Sequence, residues 1–258
     1  MEKDVLLSQG LLKVPCKLSA PNHGNVRRVV LGVHGFAGSA HDEIQTGIAE
    51  EMTLFGSAVL RFDFPAHGNS PMTDKEFTVR NCVDALLAAA HYAREQYPDV
   101  EDLCIFATGF GAYITLIALD ALLKLPGKIK LVVQTPSVRM HDTLLAMLDM
   151  SAEKFWLMDH VTNPVERPLE VTYRFYKELR EHIALTSYPL PILILHGEDD
   201  AYIQMSDIQH FRRINEKSKL VIIPGTSHRF VEDGAWDMVL DLTRDWFEFE
   251  QVLLADWI

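Results

Sequence analysis

Cysteine is scarce in this chain. Cys16, Cys82 and Cys104 are the three present, at scattered spacings and without a CxxC pair. An odd, dispersed set argues against a disulfide framework and against a zinc knuckle, and Cys82 and Cys104, lying in apolar segments, read as small core residues. The 11 histidines include no HExxH or comparable ligand cluster, so neither a metal nor any other cofactor is expected. No run of 18 apolar residues occurs, which leaves no candidate membrane-spanning helix. The chain starts Met-Glu-Lys-Asp without a charged-then-apolar leader, and a cytoplasmic location is the expectation. Basic residues are outnumbered, 24 against 36 acidic, for a formal net charge of −12. A surface of that sign disfavours nucleic acid and anionic membranes as partners. Repeats and low-complexity stretches are also missing.

What remains is an ordinary globular composition, 48% hydrophobic and 23% charged over 258 residues. That length suits one large α/β domain. Two short strands, 5–8 and 11–18, flank a turn at Gln9-Gly10. From there strand and helix alternate: strand 28–33, helix 41–55, strand 57–62, helix 78–97, strand 103–107, helix 110–125 and strand 129–134. Strands 191–195 and 219–223 follow later, with a closing helix over 235–254. In the helix at 78–97, Cys82, Leu86, Ala90 and Ala93 share one face and Pro98 ends the run. Continuous apolar strands separated by helices predict a mostly parallel sheet covered on both faces. Residues 138–187 break the rhythm. They are rich in Met, His and charge, and they read as helices with no strand between them. The expected organisation is a core of 1–137 and 188–258 with a helical cap, 138–187, over the ligand-binding edge.

The segment Ala107-Thr-Gly-Phe-Gly111 lies at a strand-to-helix turn. A nucleophile elbow has the pattern G-x-S-x-G at such a turn, with small flanking residues and the serine at the apex. On that pattern Ala107 takes the first glycine, Gly109 the serine and Gly111 the last glycine. Gly109 offers no hydroxyl, thiol or carboxylate, so no acyl-enzyme can form on it. Its backbone suits the position, because an apex residue sits in a strained conformation that costs other residues about 1–3 kcal/mol. Thr108, one residue earlier, should point away from the apex. A dinucleotide-binding reading of Thr-Gly-Phe-Gly fails, since Ile114 replaces the third glycine and no acid ends strand 129–134.

Three further segments bear on the same chemistry. His34-Gly35-Phe36-Ala37-Gly38 follows a strand, and its turn could aim the Phe36 N–H at a developing oxyanion, with the Phe110 N–H as partner. His196-Gly-Glu-Asp-Asp200 also follows a strand and supplies an acid to orient an imidazole; the offset favours Asp200 over Glu198 and Asp199. Pro-Gly-Thr-Ser-His228 follows the last strand, completing the order elbow, acid, histidine. His141, His160 and His182, in the expected cap, are read as solvated.

Together with Arg61-Phe-Asp-Phe-Pro-Ala-His-Gly68 and Ser70, these motifs resemble the α/β-hydrolase superfamily. Within it they are most similar to bacterial cinnamoyl/feruloyl-esterase-like and serine-aminopeptidase-like members. The resemblance spans nearly all of the chain outside the cap. It implies an α/β-hydrolase fold, Asp200 and His228 as triad partners, Phe36 and Phe110 as oxyanion-hole residues, and an ester or amide as substrate. The pattern breaks at Gly109.

Three functional readings follow from that break. The chain binds a small ester-like or acyl ligand while catalytically silent or altered. Alternatively it is a hydrolase or lyase without an enzyme nucleophile, with His228-Asp200 as general base. The third is a non-catalytic interaction protein on the same fold. A closed pocket over Gly109 would speak for a small molecule, and an exposed apolar patch on the cap for a partner protein.

Overall fold

The computed structural model describes residues 1–163 and 168–255. Ten strands and nine α-helices are assigned among them. The first two strands, β1 (Glu2–Gln9) and β2 (Leu12–Ser19), form an antiparallel hairpin in which Gln9 pairs with Leu12. β3 (Arg28–Val33) and β4 (Ser57–Phe62) run parallel and are joined through α1 (Glu43–Leu54). Next come α2 (Val79–Gln96), β5 (Asp102–Thr108), α3 (Gly109–Ile117), α4 (Leu119–Leu122) and β6 (Lys128–Gln134).

After β6 the chain forms α5 (Met140–Leu148), α6 (Ala152–Met158), a ribbon of β7 (His160–Thr162) and β8 (Glu170–Thr172), and α7 (Tyr173–Glu181). It then rejoins the large sheet through β9 (Ile192–Gly197), α8 (Met205–Ile214) and β10 (Lys219–Ile223), and ends in α9 (Ala235–Ala255). The large sheet has the order β1-β2-β4-β3-β5-β6-β9-β10. Every pairing from β4 to β10 is parallel, and only the hairpin side is antiparallel.

The strand alternation divides the core in two. Val29, Leu31 and Val33 of β3 face one cluster with Leu103, Ile105 and Ala107 of β5. Val30, Cys104, Phe106 and Val132 face the other, which also takes Ile48 of α1 and Trp246 of α9. Strands buried on both faces have no polar side to alternate with, which is why they read as continuous apolar runs. Cys82 and Cys104 are buried as the sequence implies, and Cys16 joins them.

Two expectations need correction, and one helix lies outside them. The stretch between β6 and β9 is not purely helical, because β7 and β8 pair antiparallel with Val161 opposite Val171. Runs of three residues are too short to give a period-two signal. The helix expected over 110–125 is two pieces, α3 and α4, and α3 begins at Gly109 itself. α8 was not singled out, since its buried face consists of Ile208 and Phe211.

The sheet's order reverses around β3 and β5: from β3 the chain steps out to β4 on one side and crosses to β5 on the other. The carboxyl ends of two such strands diverge into a crevice, the usual ligand position in open α/β sheets. α3 crosses close to the end of β3. A Cβ on Gly111 would lie 2.3 Å from the His34 carbonyl oxygen and 2.7 Å from that of Val33. Neither backbone atom can give way cheaply. Gly111→Ala is therefore expected to destabilise the fold by about 1–3 kcal/mol, measured by urea unfolding; a loss below about 0.5 kcal/mol, the ordinary range for a harmless substitution, would contradict this packing.

Candidate active site

β5 delivers the chain to Gly109, where φ is +48° and α3 starts. Ala107, fully buried between Val33 and Val133, is small enough for the turn to close. A Cβ built on Gly109 would find a single neighbour within 4 Å, the His228 Nε2 at 4.0 Å. The turn is intact and its apex has no side chain.

His228 is held from behind. Its Nδ1 lies 2.8 Å from Asp200 Oδ2. The other Asp200 oxygen accepts from the backbone N–H groups of Tyr202 at 2.9 Å and Ile203 at 3.0 Å. Burial pushes the Asp200 carboxyl up, but the His228 contact and the two amide bonds outweigh it, leaving the group below its ordinary value and ionised. An ionised carboxylate accepts a proton-bearing Nδ1, which leaves Nε2 as the basic nitrogen facing Gly109. Of the three acids after β9, Asp200 is the one that meets His228, while Glu198 accepts from the Gly225 N–H. His196, behind them, is buried and lowered by that burial.

The loop after β3 is fixed by groups that the sequence reading left without individual roles. Asp63 accepts from the N–H of Ala40 at 2.7 Å and of Asn69 at 2.8 Å. Buried Arg61 donates to the Ala40 carbonyl at 2.9 Å. His34 Nε2 accepts from the Phe64 N–H at 3.1 Å, and His67 Nε2 from the Ala37 N–H at 3.2 Å. Ala37 is held at φ +57° by this arrangement. Phe36 is thereby set against Phe110, ring centroids 6.1 Å apart. As the second residue of α3, Phe110 has a backbone N–H without an intrahelical partner. The buried Asp and His in the stretch 61–68 were the available signal.

A cavity of about 570 Å³ opens over Gly109. Phe36, Phe110, His228 and Tyr202 line it, and α5 contributes Met140 and Met147. Thr108 also lines it. His141, His160 and His182 do not reach the cavity lining. Among the described residues no three His, Cys, Asp or Glu side chains stand together as a metal site, and no helix is long and apolar enough to cross a membrane.

The sequence of residues 30–242 matches the model of the alpha/beta hydrolase family, well over half of the chain. The chain belongs to that family. Comparison with curated proteins gives no match. Among solved structures, Est1E from Butyrivibrio proteoclasticus with bound ferulic acid superposes with a TM-score of 0.82 at 19% identity, covering 96% of this chain and 99% of that one. The mouse alpha/beta hydrolase domain-containing protein 10 gives 0.77 at 16%, covering 95% and 98%. Dienelactone hydrolase from Anabaena variabilis gives 0.65 at 19%, covering 96% and 97%. This member of the alpha/beta hydrolase family thus shares a fold with enzymes of differing names.

The fixed loop carries a pH dependence. Burial, reinforced by His34, pushes His67 down to about 3. The unfolded chain takes up that proton near pH ~6.5, whereas the folded chain refuses it until about pH 3. Stability contributed by neutral His67 is complete above ~6.5 and falls as the pH drops through this window, by up to ~1.4 kcal/mol per pH unit. Asp200 loses its contribution only at more acid pH, below the ordinary carboxylate value. Urea unfolding between pH 7.5 and 5 should give a shallower pH slope for His67→Gln than for the wild type. Equal slopes would place the acid sensitivity elsewhere.

Proposed function

We propose that this chain binds a small ester-like or acyl ligand in the cavity over Gly109 and forms no acyl-enzyme with it. The observation that carries this reading is the apex: backbone at φ +48°, no side chain, and His228 Nε2 4.0 Å from where a Cβ would stand. His228 and Asp200 are then a dyad without a nucleophile. Phe36 and Phe110 supply backbone N–H donors for the ligand's carbonyl oxygen, and residues 138–187 act as a cap through α5. A volume of about 570 Å³ suits a small ligand, and the ferulic acid bound to Est1E is of that size class. α6 exposes Trp156, Leu157 and Met158, the feature an interaction role would use. The cavity, carrying an oriented imidazole, favours the small molecule.

A second reading is favoured by the open space beside Nε2. With nothing else among the described residues, adjoining ones and the helix's own backbone aside, within 4 Å of the Gly109 Cβ position, His228 can act as general base toward a water or an acidic substrate proton. Serine proteases stripped of a triad member keep about 10³–10⁴-fold catalysis from binding and the oxyanion hole, which sets the scale for such activity.

Wild-type protein should take no label from a fluorophosphonate probe and give no burst with p-nitrophenyl butyrate. Gly109→Ser should gain both labelling and at least about 10²-fold in ester turnover, at a cost of about 1–3 kcal/mol in stability from the strained apex. Adding His228→Ala should remove the gain. A stoichiometric burst from the wild type would overturn the first reading. The second would fall if His228→Ala left a confirmed wild-type activity unchanged.

A further inference from the structure

Beyond the elbow and the dyad, the cavity has a polar wall that neither uses. Thr108 ends β5, and Gln134, Thr135 and Ser137 lie at and just past the end of β6. All four line the cavity, and each is at most 8% exposed. The wall abuts the apex directly, since Ser137 donates its backbone N–H to the Gly109 carbonyl at 3.3 Å.

The side-chain oxygens of this wall have no protein partner among the described residues. The hydroxyls of Thr108, Thr135 and Ser137 make no hydrogen bond with the described residues. Gln134 Oε1 is buried and unpartnered as well. Leaving the buried Gln134 Oε1 unpaired costs about 1–3 kcal/mol, and buried side-chain oxygens without a partner are uncommon in folded interiors.

Thr135 adds an independent observation. Its φ is +43°, a conformation that is a true outlier for a β-branched residue. Its N–H is held by the Leu195 carbonyl at 2.8 Å, which pins the backbone of a residue that lines the cavity. Glycine would take this backbone without strain. The strain therefore goes with the presence of a hydroxyl at this place.

We infer that Thr108, Gln134, Thr135 and Ser137 form a recognition subsite for a neutral hydroxyl-bearing part of the ligand. An O–H can donate to Gln134 Oε1 while its own oxygen accepts from the threonine and serine hydroxyls. An ionised carboxylate has no hydrogen to offer Gln134, and an alkyl group would leave all four atoms unpaired. The inference rests on the proposed ligand site over Gly109 and specifies its chemistry: an ester or acyl ligand that carries an alcohol or phenol.

The test compares esters of equal size by titration calorimetry. Propyl butyrate is the apolar reference. In 2-hydroxyethyl butyrate and in propyl 3-hydroxypropanoate, one terminal methyl is replaced by a hydroxyl, on the alcohol side and on the acyl side respectively. At least one hydroxylated ester should bind about tenfold or more tightly than the reference. Ser137→Ala and Thr108→Val should erase that preference and leave propyl butyrate within about twofold. Thr135→Gly should erase it too while raising Tm by a few degrees, as relief of the strain requires. Equal binding of all three esters would overturn the subsite and leave the ligand cavity standing. Absence of binding by any of them would overturn both. A lowered Tm in Thr135→Gly, with the hydroxyl preference intact, would make Thr135 a packing residue and exclude it from the subsite.

Discussion

The constraint on which the site depends is the passage from β5 into α3. Within one residue the chain must leave an extended strand and enter a helix, and it does so at Gly109 with φ +48°. Two places along the turn need small residues for separate reasons. At Gly109 the backbone dihedral favours glycine. At Gly111 it is proximity, since α3 passes so close to β3 that a Cβ would meet the His34 and Val33 carbonyls. That closeness sets the start of α3 beside the loop after β3, and so places the Phe110 N–H near the Phe36 segment. None of this requires a side chain at residue 109. A turn built on backbone geometry needs no side chain at its apex.

The opposite wall is built by charge and hydrogen bonding. Residues 35–42 leave β3 without regular structure, and their polar backbone groups need partners if they are to be buried. Asp63, Arg61, His34 and His67 supply them. Gly68 belongs to the same device, because a Cβ there would lie 2.3 Å from the Asp63 carboxylate. The arrangement works with His67 neutral, and burial keeps it so. Rigidity of this loop is thus tied to a protonation state, unlike that of the elbow.

The parallel sheet was legible because its strands are buried on both faces, and an apolar run such as Arg28-Val-Val-Leu-Gly-Val33 has one ready explanation. The order elbow, acid, histidine was legible because each piece follows a strand end, where a sheet of this kind gathers its loops. Asp200 was separable from Asp199 by offset, and it is the acid that meets His228. The ribbon of β7 and β8 was not legible, since three-residue strands carry no period and their pairing is tertiary. Nor was the subsite wall. Thr108 and Gln134 through Ser137 look like ordinary strand-end residues until the Thr135 backbone angle and the unpartnered Gln134 Oε1 are seen.

Backbone strain sorts the two neighbouring positions. Gly109 occupies a left-handed conformation at no steric cost, so the turn stores nothing where a nucleophile would have been held. Thr135 occupies one at a cost, although glycine would fit as well. Such outliers persist where the surroundings over-determine them, and they gather at functional sites. If the cavity were merely the remnant of a lost hydrolase, relaxation at the apex would be expected together with relaxation along the adjoining wall. Strain is instead absent at the apex and present beside it, at a residue that lines the same cavity. The arrangement fits the proposed recognition role, in which His228 and the backbone donors would meet an acyl group and the end of β6 would read what is attached to it.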